Sequence, residues 1–140
     1  MLKIVAMTRI RITSFIFVLT AIITSCKKEE GVGGNNTIRG RVYALDYNAE
    51  LTQLKAQYYA PDEDVFIIYG EKDDIYDDDF KTDYNGRYEF KYLRPGVYTI
   101  YAYSKDTTFQ EPSGLKVVKQ EVTIQGKNQV IEVPDLVIVK

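Results

Sequence analysis

The densest chemistry in the chain lies in EKDDIYDDDFKTD, residues 71–83, which holds Asp73, Asp74, Asp77, Asp78 and Asp79 and ends on Asp83. Carboxylates this close together can surround a hard cation such as calcium, which takes about six to eight oxygen ligands. Two of them could instead act as acid and base on a glycosidic bond. The spacing matches no EF-hand loop, so Asp73, Asp77, Asp78 and Asp79 form a candidate calcium set, weighed against a plainly solvated acidic hairpin tip. Other catalytic chemistry lacks its parts. The chain has no histidine, which removes Ser-His-Asp triads, Cys-His pairs and His-ligated zinc. Beyond residue 25 the serines are Ser104 and Ser113, and neither sits in a G-x-S-x-G turn. The chain therefore reads as non-enzymatic and without a cofactor, calcium aside.

Aromatic residues are the second resource: 12 tyrosines and no tryptophan. A tyrosine ring is rigid, apolar on its faces and polar at one tip, so an exposed one suits sugar stacking or protein contact. Tyr47, Tyr58, Tyr59, Tyr76 and Tyr84 fall in connections, and Tyr58, Tyr59 and Tyr76 are the candidate ligand contacts. Tyr69, Tyr88, Tyr98 and Tyr103 fall at positions expected in or near a core.

The single cysteine, Cys26, has a different role. Upstream lie Lys3, Arg9 and Arg11, then the apolar run Ile12–Ile23, then the small pair Thr24 and Ser25. A basic start, a short apolar stretch and small residues at its end make a secretory signal. The run is too short to span a bilayer, which needs about 20 residues. Met7 would serve as well as Met1 as a start, since Arg9 and Arg11 remain. Cys26 stands where cleavage should fall, and this arrangement resembles the lipobox of bacterial lipoproteins. The following Lys27–Gly31, KKEEG, resembles the export signal of Bacteroidetes-type surface lipoproteins. The resemblance implies lipidation of Cys26 and display on the outer membrane facing outward. Residues 1–25 are then the signal peptide and 26–36 a lipidated, glycine-rich flexible tether. Removing the three leader cations leaves 15 basic residues against 20 acidic ones, a formal charge of −5. Such a chain is not a nucleic-acid binder, because phosphate neutralisation needs a basic face.

Residues 37–140 must position whatever binds. Alternation in TIRGRVYAL, the apolar run DVFIIYGE, and the strands around DFKTD, RYEFKYL, VYTIYAYS, KVVKQEVTI, QVIEV and DLVIVK predict short strands joined by turns. Asn85-Gly86 reads as a hairpin turn. In RYEFKYL, Tyr88 and Phe90 share the inward face, as do Tyr98, Ile100 and Ala102 in the next strand. The pattern is all-β, about seven short strands, the last segments counted together, and so a seven-stranded antiparallel β-sandwich.

The stretch TDYNGRYEFKYLRPGVYTIYAYS resembles the signature of carboxypeptidase regulatory-like domains, the transthyretin-like or prealbumin-like sandwiches. The matching positions are Thr82, Asp83, Gly86, Tyr88, Phe90, Leu93, Pro95, Gly96, Tyr98, Ile100 and Ala102. The resemblance implies a Greek-key sandwich serving as a structural, adhesive or accessory module. Its expected partners are the membrane, through the lipid, and an envelope protein or a glycan. Tyr98 is expected to hydrogen-bond back across a corner. The connection from Asp46 to Glu63 is long for this family. Leu51, Leu54 and Tyr58 recur there at helical spacing, Asn48 could cap and Pro61 could stop, which predicts a short helix over Ala49–Tyr59. That segment would be a lid over one end of the sandwich, or a recognition loop presenting Tyr58 and Tyr59.

Overall fold

The structure, a computed structural model, describes residues 28–71 and 75–140. Cys26, Asp73 and Asp74 lie outside the described residues, and so do the signal and lipid-anchor readings.

The described chain is all-β: β1 (Val32–Tyr47), β2 (Leu54–Tyr59), β3 (Asp64–Tyr69), β4 (Asp78–Lys81), β5 (Arg87–Leu93), β6 (Gly96–Lys105), β7 (Leu115–Ile124), β8 (Val130–Glu132) and β9 (Leu136–Val139). One sheet is built on β1. Even-numbered Val42 donates to Gly86 O and accepts from Ala60 N, whereas odd-numbered Thr37, Leu45 and Tyr47 bond toward the C-terminal strands. Backbone groups alternate sides along a strand. Hence β5 and β2 lie end to end on one side of β1, with β8 and β9 end to end on the other. The second sheet has the order β4-β3-β6-β7, all antiparallel.

The two sheets close over one core. Ile38, Val42 and Ala44 of β1 and Tyr88 and Phe90 of β5 meet Val65 and Ile67 of β3 and Tyr98, Ile100 and Ala102 of β6. Fully burying one such aliphatic side chain contributes about 1.5–3 kcal/mol. The corner before β6 is fastened as expected: Tyr98 Oη donates to Arg94 O (2.7 Å) and accepts from Gly31 N (3.0 Å).

Five expectations change. The described residues form nine strands, not seven. Two pairings, β1–β8 and β1–β9, are parallel rather than antiparallel. The expected helix over Ala49–Tyr59 is a turn followed by β2. Asn48 Oδ1 accepts from Thr52 N (2.8 Å) and Gln53 N (2.9 Å), turning the chain back so that Leu54–Tyr59 pairs with Tyr43–Tyr47. Leu54 and Tyr58 stay exposed, so no core face exists for a helix to cover, and the segment extends the sheet instead of capping it. Asn85-Gly86 does form a turn, with Gly86 at φ +69°, but it carries the chain from β4 in one sheet to β5 in the other and is not a hairpin. Finally, the glycine-rich stretch of the supposed tether is structural: β1 begins at Val32, and buried Asn36 donates to Leu93 O (2.9 Å) and accepts from Gln129 N (2.9 Å).

The β6–β7 loop is organised by buried Asp106. Its Oδ1 accepts from the Thr108 hydroxyl (2.6 Å) and Thr108 N (2.9 Å), and its Oδ2 from Gln110 N (2.7 Å) and Glu111 N (2.9 Å). The Thr108 hydroxyl first, then these backbone donors, hold the carboxyl far below the usual carboxylate range. A depressed pKa stabilises the fold above the ordinary value of about 4 and loses that contribution as pH falls toward the folded value. Thermal melts of the parent chain and Asp106→Asn should therefore differ at neutral pH and converge as the pH drops below about 3.

Candidate functional site: an aromatic platform on one sheet face

Strand alternation gives β6 two faces. Tyr98, Ile100 and Ala102 point into the core, which sends Val97, Thr99, Tyr101 and Tyr103 outward. On β3, inward Val65 and Ile67 likewise leave Phe66 and Ile68 on the outer face. The β3–β6 register sets Phe66 opposite Tyr101. Their rings stack at 5.1 Å between centroids, 25° apart. Tyr103 meets Phe66 at 5.7 Å and Tyr101 at 5.7 Å, both edge-on.

The fourth ring comes from the β3–β4 connection. Asp77 N donates to Ile67 O (2.9 Å), and Asp77 Oδ2 accepts from Tyr69 N (2.7 Å). This pinned return brings Tyr76 to 4.6 Å from Phe66. Such contacts add roughly 0.5–1.5 kcal/mol each beyond simple burial. The rings are thus mutually fixed while the outer two remain open: Tyr76 is 42% and Tyr103 47% exposed, against 8% for Tyr101. Burial, with Tyr103 and Tyr76 nearby, pushes the Tyr101 hydroxyl above its ordinary pKa, so it stays a neutral donor and acceptor. A groove of about 580 Å³ runs on from the rings, lined by Ile68, Gly70, Val97, Thr99, Val117, Lys119 and Glu121 among others.

The expected site residues separate. Tyr76 belongs to this platform. Tyr58 and Tyr59 lie on β2 in the other sheet, opposite Ala44 and Tyr43. There Tyr59 stacks edge-on with Tyr43 (5.2 Å) beneath the Arg41 guanidinium, 4.8 Å from the ring centre. A cleft of about 680 Å³ adjoins Tyr59, lined by Arg39, Arg41 and Arg87 but also by Asp83, Glu89, Glu132 and Asp135. Arg39 is paired with Glu132 at 3.1 Å. Of the calcium candidates, Asp77 serves the backbone as above, and Asp78 Oδ1 accepts from Asp79 N (2.9 Å). Among the described residues no three acidic or other ligating side chains converge on one point.

Three platform residues, Phe66, Tyr101 and Tyr103, are not among the contacts expected from the sequence. Tyr103, expected in or near the core, is half exposed. Its signal was present, because inward Tyr98, Ile100 and Ala102 force Tyr101 and Tyr103 outward. Phe66 sits inside an unbroken apolar run, which hides which face each residue takes.

No protein-family model matches this chain, and no curated protein matches it. Among solved structures it is similar to one from Pseudomonas aeruginosa named a "putative carbohydrate binding protein", at 18% identity and a TM-score of 0.47, covering 79% of this chain and 91% of that one.

Proposed function

We propose that this chain is a non-enzymatic binding module of the cell envelope, a Greek-key sandwich of the carboxypeptidase regulatory-like kind, that takes a glycan on the platform of Phe66, Tyr76, Tyr101 and Tyr103. One observation carries the reading: four mutually packed aromatic rings lie on an outer sheet face, two of them substantially exposed. Leaving contiguous aromatic surface in water is costly and marks an interaction site. A pyranose offers an apolar C–H face to stack on the rings and hydroxyls at its edge for tyrosine tips and the groove's polar groups to meet. Nucleic acid does not suit an acidic chain.

Lipidation of Cys26 fits the same picture. Lys27–Glu30 alone separate the cysteine from Gly31, whose N–H is held by Tyr98 Oη. Four extended residues reach at most about 14 Å, so the module would stand close to the outer membrane. Gly31 packs beside Tyr69, next to Gly70 at one end of the groove. Tyr103 lies six residues beyond Val97 along β6, about 20 Å further on. The platform is then carried at the end away from the lipid.

A Tyr76→Ala/Tyr103→Ala chain tests this on a glycan array. Both side chains are exposed, so the fold should persist while retention falls at least about tenfold, the equivalent of 1.4 kcal/mol. Tyr59→Ala, on the opposite sheet, should bind as the parent does. Unchanged binding by the platform variant, or loss only in Tyr59→Ala, would move the site elsewhere.

A further inference from the structure

We infer that the platform selects neutral glycan chains and turns away those bearing carboxylate or sulfate groups. The inference rests on the glycan reading above and concerns the charges around the rings. Recognition of sugar carboxylates and sulfates favours the guanidinium fork, which meets such anions with two parallel hydrogen bonds. The described chain has four arginines, Arg39, Arg41, Arg87 and Arg94, and none lines the platform or its groove. Arg39, Arg41 and Arg87 line the cleft of the other sheet, and Arg94 lies on the corner at the N-terminal entry.

The lysines of the platform face are largely committed. Lys119, in the groove, is paired with Glu121 at 3.3 Å, and Lys81 of β4 with Asp64 at 2.9 Å. Lys105, next in the outward series of β6, is exposed and in no ion pair among the described residues. Against it stand Glu71 in the groove and Asp79 opposite Phe66, neither of them in an ion pair among the described residues, while Glu121 is balanced by Lys119. Ionised carboxylates only accept hydrogen bonds. They match the hydroxyl donors of a neutral sugar and repel a second carboxylate or a sulfate. Rings supply the stacking surface and acidic groups supply acceptors, which is a surface complementary to an uncharged polyol.

The test uses the mature chain on soluble neutral polymers (mixed-linkage β-glucan, galactomannan, xyloglucan) and acidic ones (polygalacturonate, chondroitin sulfate), in about 20 and about 200 mM salt. At low salt a neutral polymer should be retained at least about tenfold more tightly than either acidic one. Adding salt should narrow the gap by screening the repulsion. Glu121→Lys, which reverses one rim charge and releases Lys119, should raise retention of the acidic polymers and leave the neutral ones little changed. Tighter binding of an acidic polymer, or equal binding of both classes, overturns the selectivity. If that binding disappears in Tyr76→Ala/Tyr103→Ala, the glycan platform survives without it. Acidic binding that persists in the double variant, or retention of no polymer at all, overturns the platform along with the selectivity.

Discussion

A Gly34→Val chain is expected to melt about 10 °C below the parent, a loss of about 2–3 kcal/mol. The value tests whether the domain begins at Gly31 or only at residue 37. Val32 and Asn36 both pair with Leu93, so the backbone between them bulges across the end of β5. Gly34 makes the closest approach. A Cβ added there would stand 2.1 Å from Leu93 O, 2.5 Å from Leu93 C and 2.7 Å from Arg94 Cα. All three are backbone atoms, and no rotamer change moves them aside. Either β1 lifts away from β5 or the corner at Arg94 shifts. The first loosens the Asn36 bond to Leu93 O, and the second disturbs the Tyr98 clamp that holds Gly31 and Arg94. Val32→Ala serves as control, because Val32 is exposed and its truncation should cost within about 0.5 kcal/mol. A flexible tether would tolerate both substitutions equally. Equal melting temperatures for Gly34→Val and the parent would therefore restore the tether and detach residues 31–36 from the fold.

GVGGNN reads as a linker because composition is judged against the average loop, and glycine and asparagine dominate loops for their conformational freedom. Here the same residues answer a local need. Glycine permits close contact with Leu93 and Arg94, and Asn36 supplies one donor and one acceptor to backbone groups that a bulge would otherwise leave unpaired. Nothing within residues 31–36 records that β5 lies against them. The supposed helix failed for a related reason. Leu51, Leu54 and Tyr58 have helical spacing, yet pairing with the open edge of β1 satisfied the backbone and left no apolar surface nearby to reward a helix.

Local alternation carried further. The inward positions of β1, β5 and β6 were readable because a two-residue period in a half-buried strand follows directly from the pleat. The Tyr98 corner was readable from its place in the motif. The platform was legible only by half. Parity on β6 points Tyr101 and Tyr103 outward, but joining them to Phe66 and Tyr76 requires the β3–β6 register and the loop return held by Asp77, both tertiary facts. Tyr58 and Tyr59 fall in an expected connection, and expected exposure does not say which sheet a residue serves.

The largest remaining effect concerns a tyrosine that the core accommodates at a cost. Tyr88 is 1% exposed, and its hydroxyl has no protein hydrogen-bond partner among the described residues. Burial, reinforced by Asp135, pushes its pKa far above the usual phenol value. The ring lies against Gly40 of β1, where a Cβ would meet Tyr88 Oη at 2.4 Å, Tyr88 Cζ at 2.7 Å and Val133 Cγ2 at 2.8 Å. Gly40 is therefore the space that admits the phenol. Gly40→Ala is expected to cost about 2–3 kcal/mol by overpacking. Tyr88→Phe should do the opposite, stabilising the chain by about 1–2 kcal/mol, because it removes a buried group that gains no bond and loses its hydration. The double variant should be less damaged than the two single effects predict in sum, since the closest contact vanishes while those to Cζ and Val133 remain. Chemical denaturation of the four chains gives the coupling directly, about 1 kcal/mol in favour of the pair. Strict additivity would mean that Gly40 and Tyr88 do not share that space. Destabilisation by Tyr88→Phe would mean that the hydroxyl has a partner, which would turn Tyr88 from a tolerated residue into a structural one and locate a polar contact near Asp135, between β8 and β9.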